Sequence, residues 1–368
     1  MWARLRNAVL GGPRPLNILI ITDGAAYTSE QQLSPILRHA ALLRDRLGVV
    51  IEIRNLDDAM SLESRYLSRF AIVGLKFNFR TPANQAEHLA KHFKTRLAGA
   101  ATRLVYFDGD DDLNVQWSAV LRIVDFYVKK HVFADNNAYL PSYVGKSNLT
   151  DYVARNYGVS FADDIIPKSG GVDRINIGKV HVGWNIALDA PIVELNKRIS
   201  SVPSVAKDID VLCRATVNQS SWIYPLRSIA TSRIDAMSNR FRVLAPRDRV
   251  SQEKYWEEML RSRICVSPFG YGEICWRDFE AIICGALLVK PDMGHVKTLP
   301  NLFLPGITYV PVQWDYSDLE AKCEHYLQHE GERVRIVSYA RELLNSSLQP
   351  QWFLERFREL LISAKLHP

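Results

Sequence analysis

Short apolar runs alternate with amphipathic stretches along the first half of the chain. Residues 17–22 are almost uninterruptedly apolar, which is typical of a strand buried on both faces of a parallel sheet. The pattern predicts strands at 17–22, 49–53, 70–75, 103–107 and 127–133 and helices at 30–47, 86–98 and 117–124. Regular alternation of strands and helices predicts a doubly wound α/β domain.

The alternation pauses and then restarts. Residues 136–171 are rich in Tyr, Asn, Ser and Asp and predict loops and short helices, and 179–187 predict a strand-like element. After a linker predicted at 200–204, the pattern predicts strands at 209–214, 240–244, 263–266, 286–289 and 309–312, and helices at 223–237, 252–260, 274–284, 317–327, 332–344 and 351–363. We therefore predict two α/β domains, at 1–199 and 205–348, followed by a terminal helical segment at 349–368.

The segment 267–290 carries the clearest chemistry. It predicts a strand end, a glycine bend, a helix that stops at Gly285, and a further strand. Glu273, Arg277 and Glu280 have i, i+4 and i+7 spacing and are predicted to share one helix face. The loop amides and Arg277 suit an anion, and Glu280 suits sugar hydroxyls, although a solvated Arg277–Glu280 pair is an equal alternative.

This segment resembles the donor-binding segment of GT-B-fold glycosyltransferases. The resemblance rests on Ser-Pro-x-Gly-x-Gly-Glu from Ser267, Arg-x-x-Glu-Ala from Arg277, and Cys-Gly-Ala-Leu-Leu-Val from Cys284, and extends distantly to exostosin-like and spore-coat transferases. It implies two Rossmann-like domains facing a cleft, a last helix that crosses back to the first domain, and a nucleotide sugar held by the second domain. The donor-binding residues it implies are Arg214, Ser267, Gly270, Tyr271, Gly272, Glu273, Arg277, Glu280 and Lys290. The retaining branch typically has Glu-x7-Glu, whereas Glu273 and Glu280 are separated by six residues, so a retaining outcome is not implied.

A carboxylate that deprotonates the acceptor is expected from the first domain. Asp23 follows the first predicted strand and Asp108 the fourth, and each has the alternative of an ordinary turn or capping residue. Asp108–Asp112 also resembles the Asp-x-Asp metal site of the GT-A fold, which makes a metal-dependent transferase the alternative. The GT-B resemblance implies no metal and no cofactor besides the nucleotide sugar, whose UDP, GDP or CMP identity stays open.

The amino-acid composition limits the classes of partner that this chain is expected to bind. The net charge of +6 is scattered rather than clustered, so nucleic-acid binding is not expected. Five cysteines without paired spacing indicate a reduced, cytoplasmic protein. Two interpretations of residues 1–10 are open: a basic amphipathic segment that contacts the inner membrane surface, or a disordered start of the chain. The expected partners are a nucleotide sugar and a glycan or glycolipid acceptor, in surface polysaccharide or lipopolysaccharide synthesis. A non-catalytic two-domain binding protein of sugars or nucleotides is the rival from another class.

Overall fold

Two parallel sheets organise the protein. The computed structural model describes residues 15–24, 27–161, 171–202 and 205–366. The first sheet has the order β2-β1-β3-β4-β5-β7 and the second the order β13-β11-β10-β8-β9, and every strand pair in both is parallel. The strands are β1 Leu16–Thr22, β2 Val49–Asn55, β3 Ile72–Lys76, β4 Arg103–Asp108, β5 Phe126–Lys129, β6 His131–Phe133, β7 Val180–Val182, β8 Ile209–Leu212, β9 Val243–Leu244, β10 Ser262–Val266, β11 Leu287–Pro291, β12 Val296–Thr298 and β13 Val310–Val312. The predicted fold class, two Rossmann-like α/β domains, is confirmed.

Helices cover both faces of each sheet, so each face carries its own apolar core. The α-helices are Tyr27–Arg38, Ala40–Leu47, Leu56–Ala59, Ser64–Leu67, Ala83–Arg96, Ser118–Ile123, Asn148–Tyr157, Arg174–Ile177, Ala190–Ser200, Tyr224–Asp235, Gln252–Leu260, Trp276–Ile283, Leu319–Gln328, Glu330–Ser347 and Pro350–Ser363. The single helix predicted at 30–47 is two helices, because the chain turns at His39. None of the helices in the described ranges is long and apolar enough to cross a lipid bilayer.

The strand predicted at 127–133 is also two elements. β5 belongs to the first sheet, whereas β6 pairs antiparallel with β12 from the second half of the chain. This two-stranded sheet joins the domains, and Asn185 reinforces it by donating to Thr298 Oγ1 and the Pro300 carbonyl, both at 2.8 Å. The two halves are therefore tied together beside the cleft rather than only at the linker.

Two groups of helices depart from a simple division of the chain. The helices Asn148–Tyr157 and Ala190–Ser200 share the core of the second sheet, although they precede the predicted linker. The terminal helix Pro350–Ser363 crosses back as the family resemblance implies, and its buried Phe353 and Phe357 pack against Trp184 and the first sheet. The predicted boundaries at 1–199, 205–348 and 349–368 stay predictions, and residues 1–14 with their predicted anchor lie outside the described residues.

Candidate functional site

Two neighbouring cavities lie where the carboxyl ends of the two sheets approach each other, the place where open α/β sheets bind ligands. The arginine cavity, about 710 Å³, is lined by Asp111, Ile186, Pro191, Ile192, Leu195, Arg214, Thr216, Arg227, Asp248, Arg249, Val250, Gln252, Tyr255, Trp256, Gly270, Tyr271, Gly272, Ile274, Cys275, Trp276, Arg277 and Glu280. The aromatic cavity, about 580 Å³, is lined by Phe79, Arg80, Asp110, Asp111, Asp112, Lys146, Ser147, Thr150, Val159, Ser160, Phe161, Gln219, Ser220, Ser221, Trp222, Tyr224, Pro225 and Tyr271. Asp111 and Tyr271 line both and mark the junction between them.

The helix Trp276–Ile283 is fixed at both ends. At its start, Asp278 accepts from the Cys275 backbone N–H at 2.8 Å and from Ser267 Oγ at 2.5 Å. At its end, Gly285 has φ +70°, and the Ala286 N–H bonds to the Ala281 carbonyl at 2.9 Å, which completes a Schellman motif. The stop predicted at Gly285 is confirmed, and the arginine cavity receives the start of this helix.

Lys290 lies beneath the loop rather than in the cavity. Its ammonium is fully buried, 3.2 Å from Asp278 Oδ1, and it lines neither cavity. Ser267 is equally buried and takes part in the same cluster. The structure places Lys290 outside both cavities, where it neutralises the buried cap of the helix, and its contact with the donor stays a prediction.

Arg277 lines the arginine cavity and binds the two strand ends beneath it. Its guanidinium donates to the Arg214 carbonyl at 2.6 Å, the Pro268 carbonyl at 3.0 Å and Ser267 Oγ at 3.1 Å. Arg227 likewise donates to carbonyls, those of Thr216 at 3.0 Å and Phe269 at 3.4 Å. Within the described ranges neither guanidinium has a carboxylate at ion-pair distance, so two positive charges at this wall lack a protein counter-charge.

Arg214 and Glu280, the other two predicted charges of this cavity, are engaged. Arg214 forms a two-point pair with buried Glu258 at 2.5 and 2.8 Å, which neutralises its charge. Glu280 accepts from Tyr255 Oη at 2.9 Å and Trp256 Nε1 at 3.3 Å. Burial raises the pKa of Glu280 from its ordinary value.

Glu273 is not on the helix face that its spacing predicts. The helix begins at Trp276, so Glu273 lies in the preceding bend, and it lines neither cavity. Its carboxylate is fully buried, and its oxygens have no hydrogen-bond partner in the described part of the chain; His295 Nε2 lies 3.6 Å away. The prediction that Glu273 shares a face with Arg277 and Glu280 is wrong.

Gly272 brings the two domains into contact. A Cβ at this position would lie 1.5 Å from the Asp111 carbonyl oxygen, so no side chain fits here. The requirement is space, because neither Gly270 nor Gly272 has a left-handed φ. The neighbouring Tyr271 is 58% exposed and projects between the cavities.

Neither predicted base lines a cavity. Asp108 is buried, and its carboxylate accepts from Lys129 Nζ at 2.8 Å and Tyr127 Oη at 2.9 Å. Burial opposes ionisation, but Lys129 holds the pKa of Asp108 below its usual range. Asp23 accepts from the Asn78 backbone N–H at 2.6 Å. Asp108 and Asp23 both lie outside the two cavities, and their roles as acceptor base stay predictions.

Asp111 is the carboxylate at the junction, and we did not predict it individually. It is held by Lys130 Nζ at 2.7 Å, while His131 Nε2 lies 3.0 Å from its carbonyl oxygen. Its side chain keeps 37% exposure. The signal was present as the acidic run after β4, but which of its carboxylates faces the cleft depends on the turn. No motif in the sequence indicated Arg227, because it lies on a separate helix, Tyr224–Asp235.

The acidic run has a cation of its own. Lys146 Nζ contacts Asp110 and lies 2.6 Å from Asp112 Oδ2, so an ammonium occupies the position between the two carboxylates. Lys146 holds the pKa of Asp110 below its usual range despite burial, whereas burial raises the pKa of Asp112 to about 7. This donor set is already compensated, which does not favour the alternative metal site at Asp108–Asp112.

The sequence of the second domain identifies its family. Residues 221–359 match the family model described as "Glycosyl transferase-like". Over these residues the second domain is similar to glycosyltransferases. The match includes Arg227, Arg277 and Glu280. The two Rossmann-like sheets and the returning terminal helix have the arrangement that the GT-B resemblance implies. No curated protein sequence matches the chain significantly.

The solved structures that are similar to this chain have low sequence identity to it. An "alpha-glucosyltransferase in complex with UDP and a 13-mer DNA" is 11% identical, with 94% of this chain and all of that chain covered and a TM-score of 0.49. A glycosyltransferase from Rickettsia africae is 12% identical, with 96% and 100% covered and a TM-score of 0.46. The S. aureus MnaA–UDP complex is 8% identical, with 96% and 99% covered and a TM-score of 0.44. At this distance none of them assigns a substrate to this chain.

Proposed function

We propose that the chain transfers a sugar from a nucleotide diphosphate sugar in the arginine cavity to an acceptor in the aromatic cavity. The observation that carries the proposal is the pair of guanidiniums, Arg227 and Arg277, that line the arginine cavity without a carboxylate counter-charge among the described residues. A diphosphate supplies that charge, and the start of the helix Trp276–Ile283 adds backbone donors beside it. Glu280 lies one turn further along the same cavity, as the donor model requires.

The junction suits the chemical step. In the proposed reaction an acceptor hydroxyl oxygen forms a bond to the sugar's anomeric carbon, and the bond from that carbon to the diphosphate oxygen breaks. The nucleoside diphosphate leaves with the electron pair, and Arg227 and Arg277 stabilise its charge. The hydroxyl proton passes to the Asp111 carboxylate, which Lys130 orients toward the junction.

Nucleotide binding tests the donor site. We expect UDP, GDP or CMP to raise the thermal unfolding midpoint, and Arg227→Gln to remove most of that rise. Arg277→Ala should do the same, but it also removes bonds to two backbone carbonyls, so Arg277→Lys is the accompanying variant. Arg335→Gln, an exposed arginine outside both cavities, is the matched control. The absence of any rise with all three nucleotides would refute the donor assignment.

Measurements of turnover distinguish a metal-independent transferase from a binding protein and from a metal-dependent transferase. Hydrolysis of a nucleotide sugar by the wild type distinguishes an enzyme from a two-domain binding protein. Activity that persists in EDTA is expected, because Lys146 already compensates Asp110 and Asp112. Loss of activity in EDTA, restored by a divalent ion, would instead support the GT-A-like alternative.

The proposed function includes an expected acceptor, cellular location and cofactor requirement. We expect a glycan or glycolipid acceptor in surface polysaccharide or lipopolysaccharide synthesis, a cytoplasmic location with a peripheral contact at the inner membrane surface, and no cofactor besides the donor. These expectations come from the family resemblance and from the mildly basic composition.

A further inference from the structure

The aromatic cavity differs from the arginine cavity in what it presents to a ligand. Phe161, Trp222 and Tyr271 form a row of edge-to-face rings, with centroid separations of 5.9 and 6.1 Å. Trp222 is half-buried, and its indole N–H has no acceptor among the described residues. An indole face with an N–H donor at its edge suits the apolar face of a sugar ring beside its hydroxyls.

The charges of this cavity disfavour an anionic ligand. Its described lining carries three aspartates against Lys146 and the exposed Arg80, and Lys130, which lies behind Asp111 at 2.7 Å, balances the remaining negative charge. Lys146 is bound to Asp110 and Asp112 and Lys130 to Asp111, so neither buried lysine is left for a phosphate or carboxylate. Aspartate oxygens accept hydrogen bonds from hydroxyls, and a neutral ligand meets no charge repulsion here.

We propose that the acceptor bound in the aromatic cavity is a neutral saccharide, an inference that rests on the proposed function. One sugar ring packs on Trp222, its hydroxyls donate to the carboxylates of Asp110 and Asp112, and the reacting hydroxyl reaches Asp111 at the junction. With both buried lysines engaged by aspartates, the cavity offers no buried counter-charge to uronic acids, sugar phosphates or nucleic acids, whereas the arginine cavity next to it has two arginines without a carboxylate partner among the described residues.

Matched acceptors test the charge preference. The wild type is given labelled UDP-glucose, UDP-N-acetylglucosamine or GDP-mannose with p-nitrophenyl glycosides of neutral hexoses, each paired with its uronate, and with a DNA oligonucleotide as a further arm. We expect transfer to a neutral glycoside with kcat/KM about tenfold or more above that of its uronate. Preference for a uronate or for DNA would overturn the inference, as would donor hydrolysis without any labelled neutral glycoside. Failure of nucleotide binding and of hydrolysis would instead refute the proposed function, and the inference with it.

Trp222 tests the location of the acceptor. We expect Trp222→Ala to raise the KM for the neutral glycoside about tenfold, because the stacking surface is lost. Trp222→Phe keeps an aromatic face and should retain most of the affinity, which separates lost stacking from misfolding. Tyr339→Ala, an exposed aromatic outside both cavities, is the control. An unchanged acceptor KM in Trp222→Ala would overturn the inference.

Discussion

At the residue scale, the four aspartates between residues 108 and 112 have different surroundings and therefore different chemistry. Asp108 is paired with Lys129, Asp110 and Asp112 share Lys146, and Asp111 faces the junction with Lys130 behind it. The carboxyl groups are chemically identical, but they differ in burial and in the lysine with which they pair. A single acidic run thus supplies a structural ion pair, a compensated cavity wall and a reactive candidate.

Asp111→Asn tests the reactive candidate. We expect kcat for transfer to fall about 100-fold or more, because the amide cannot accept the acceptor's proton, while the nucleotide-induced thermal shift stays the same. The bond to Lys130 is retained by the amide oxygen, so the fold should persist. Asp45→Asn, an exposed aspartate far from both cavities, is the control. A variant with full kcat would show that another group takes the proton.

Asp112 gives a signature in the pH dependence of stability. Burial raises its pKa from 3.8 to about 7, so the folded state binds this proton more tightly than the unfolded state does between those values. The contribution to stability is complete below about pH 4 and is lost as the pH rises through about 7. We therefore expect the free energy of unfolding of the wild type to fall over that interval relative to Asp112→Asn, measured by denaturant titration. Parallel pH curves for the two proteins would contradict the raised pKa.

At the element scale, the bend before the helix Trp276–Ile283 is set by what packs on it. Asp278 caps the helix from below, with Lys290 neutralising it, and Arg277 binds the ends of the loops after β8 and β10. The bend therefore has little freedom, and its glycines serve close approach rather than flexibility. A rigid bend holds the donor wall at a fixed distance from the first domain.

Gly272→Ala should disturb that distance. The added methyl group would meet the Asp111 carbonyl at 1.5 Å, so the junction must open. We expect kcat/KM to fall on the order of 100-fold, since misplacement by about 1 Å is sufficient for such a loss. Nucleotide binding should change far less, because Arg227 and Arg277 are untouched. Gly331→Ala, where a Cβ meets nothing within 4 Å, is the matched control; equal activity of the two variants would argue against a functional junction.

At the scale of the whole molecule, three connections hold the domains around the cleft. The β6–β12 sheet bridges them, the helices Asn148–Tyr157 and Ala190–Ser200 share the core of the second sheet, and the terminal helix returns to the first. Residues far apart in the chain are thereby fixed relative to one another. The cavities and their junction follow from this arrangement.

Phe353→Ala tests the return of the terminal helix. Phe353 is 1% exposed and lies edge-to-face on Trp184 with centroids 5.1 Å apart. Its loss should lower the free energy of unfolding by about 3–5 kcal/mol through a cavity between helix and sheet, measured by denaturant titration. Ile362→Ala, half-exposed in the same helix, should change it by less than about 0.5 kcal/mol. Similar effects of the two substitutions would mean that the helix is held weakly.

Local pattern was sufficient for most elements of the fold. The apolar runs predicted the strands of both sheets, and Gly285 predicted the end of the helix at the donor wall, because burial on both sheet faces and a left-handed φ leave direct marks in sequence. Where a prediction failed, a distant partner decided the outcome. The stretch after residue 126 is split because β12, far along the chain, pairs with its second part. Glu273 is a local exception: the bond from the Cys275 N–H to Asp278 caps the helix so that it begins at Trp276, after Glu273.

The sequence by itself determined the fold class, the family of the second domain and the placement of Arg277 and Glu280 on one helix, since these depend on neighbours within a few residues. Only the tertiary structure decided which charges are free. Arg214 and Lys290 proved to be neutralised by Glu258 and Asp278, while Arg227 stands without such a partner among the described residues. It also placed Asp111 against Gly272 across the cleft. Charge pairing and domain contact are set by residues distant in the chain, and local spacing carries no record of them.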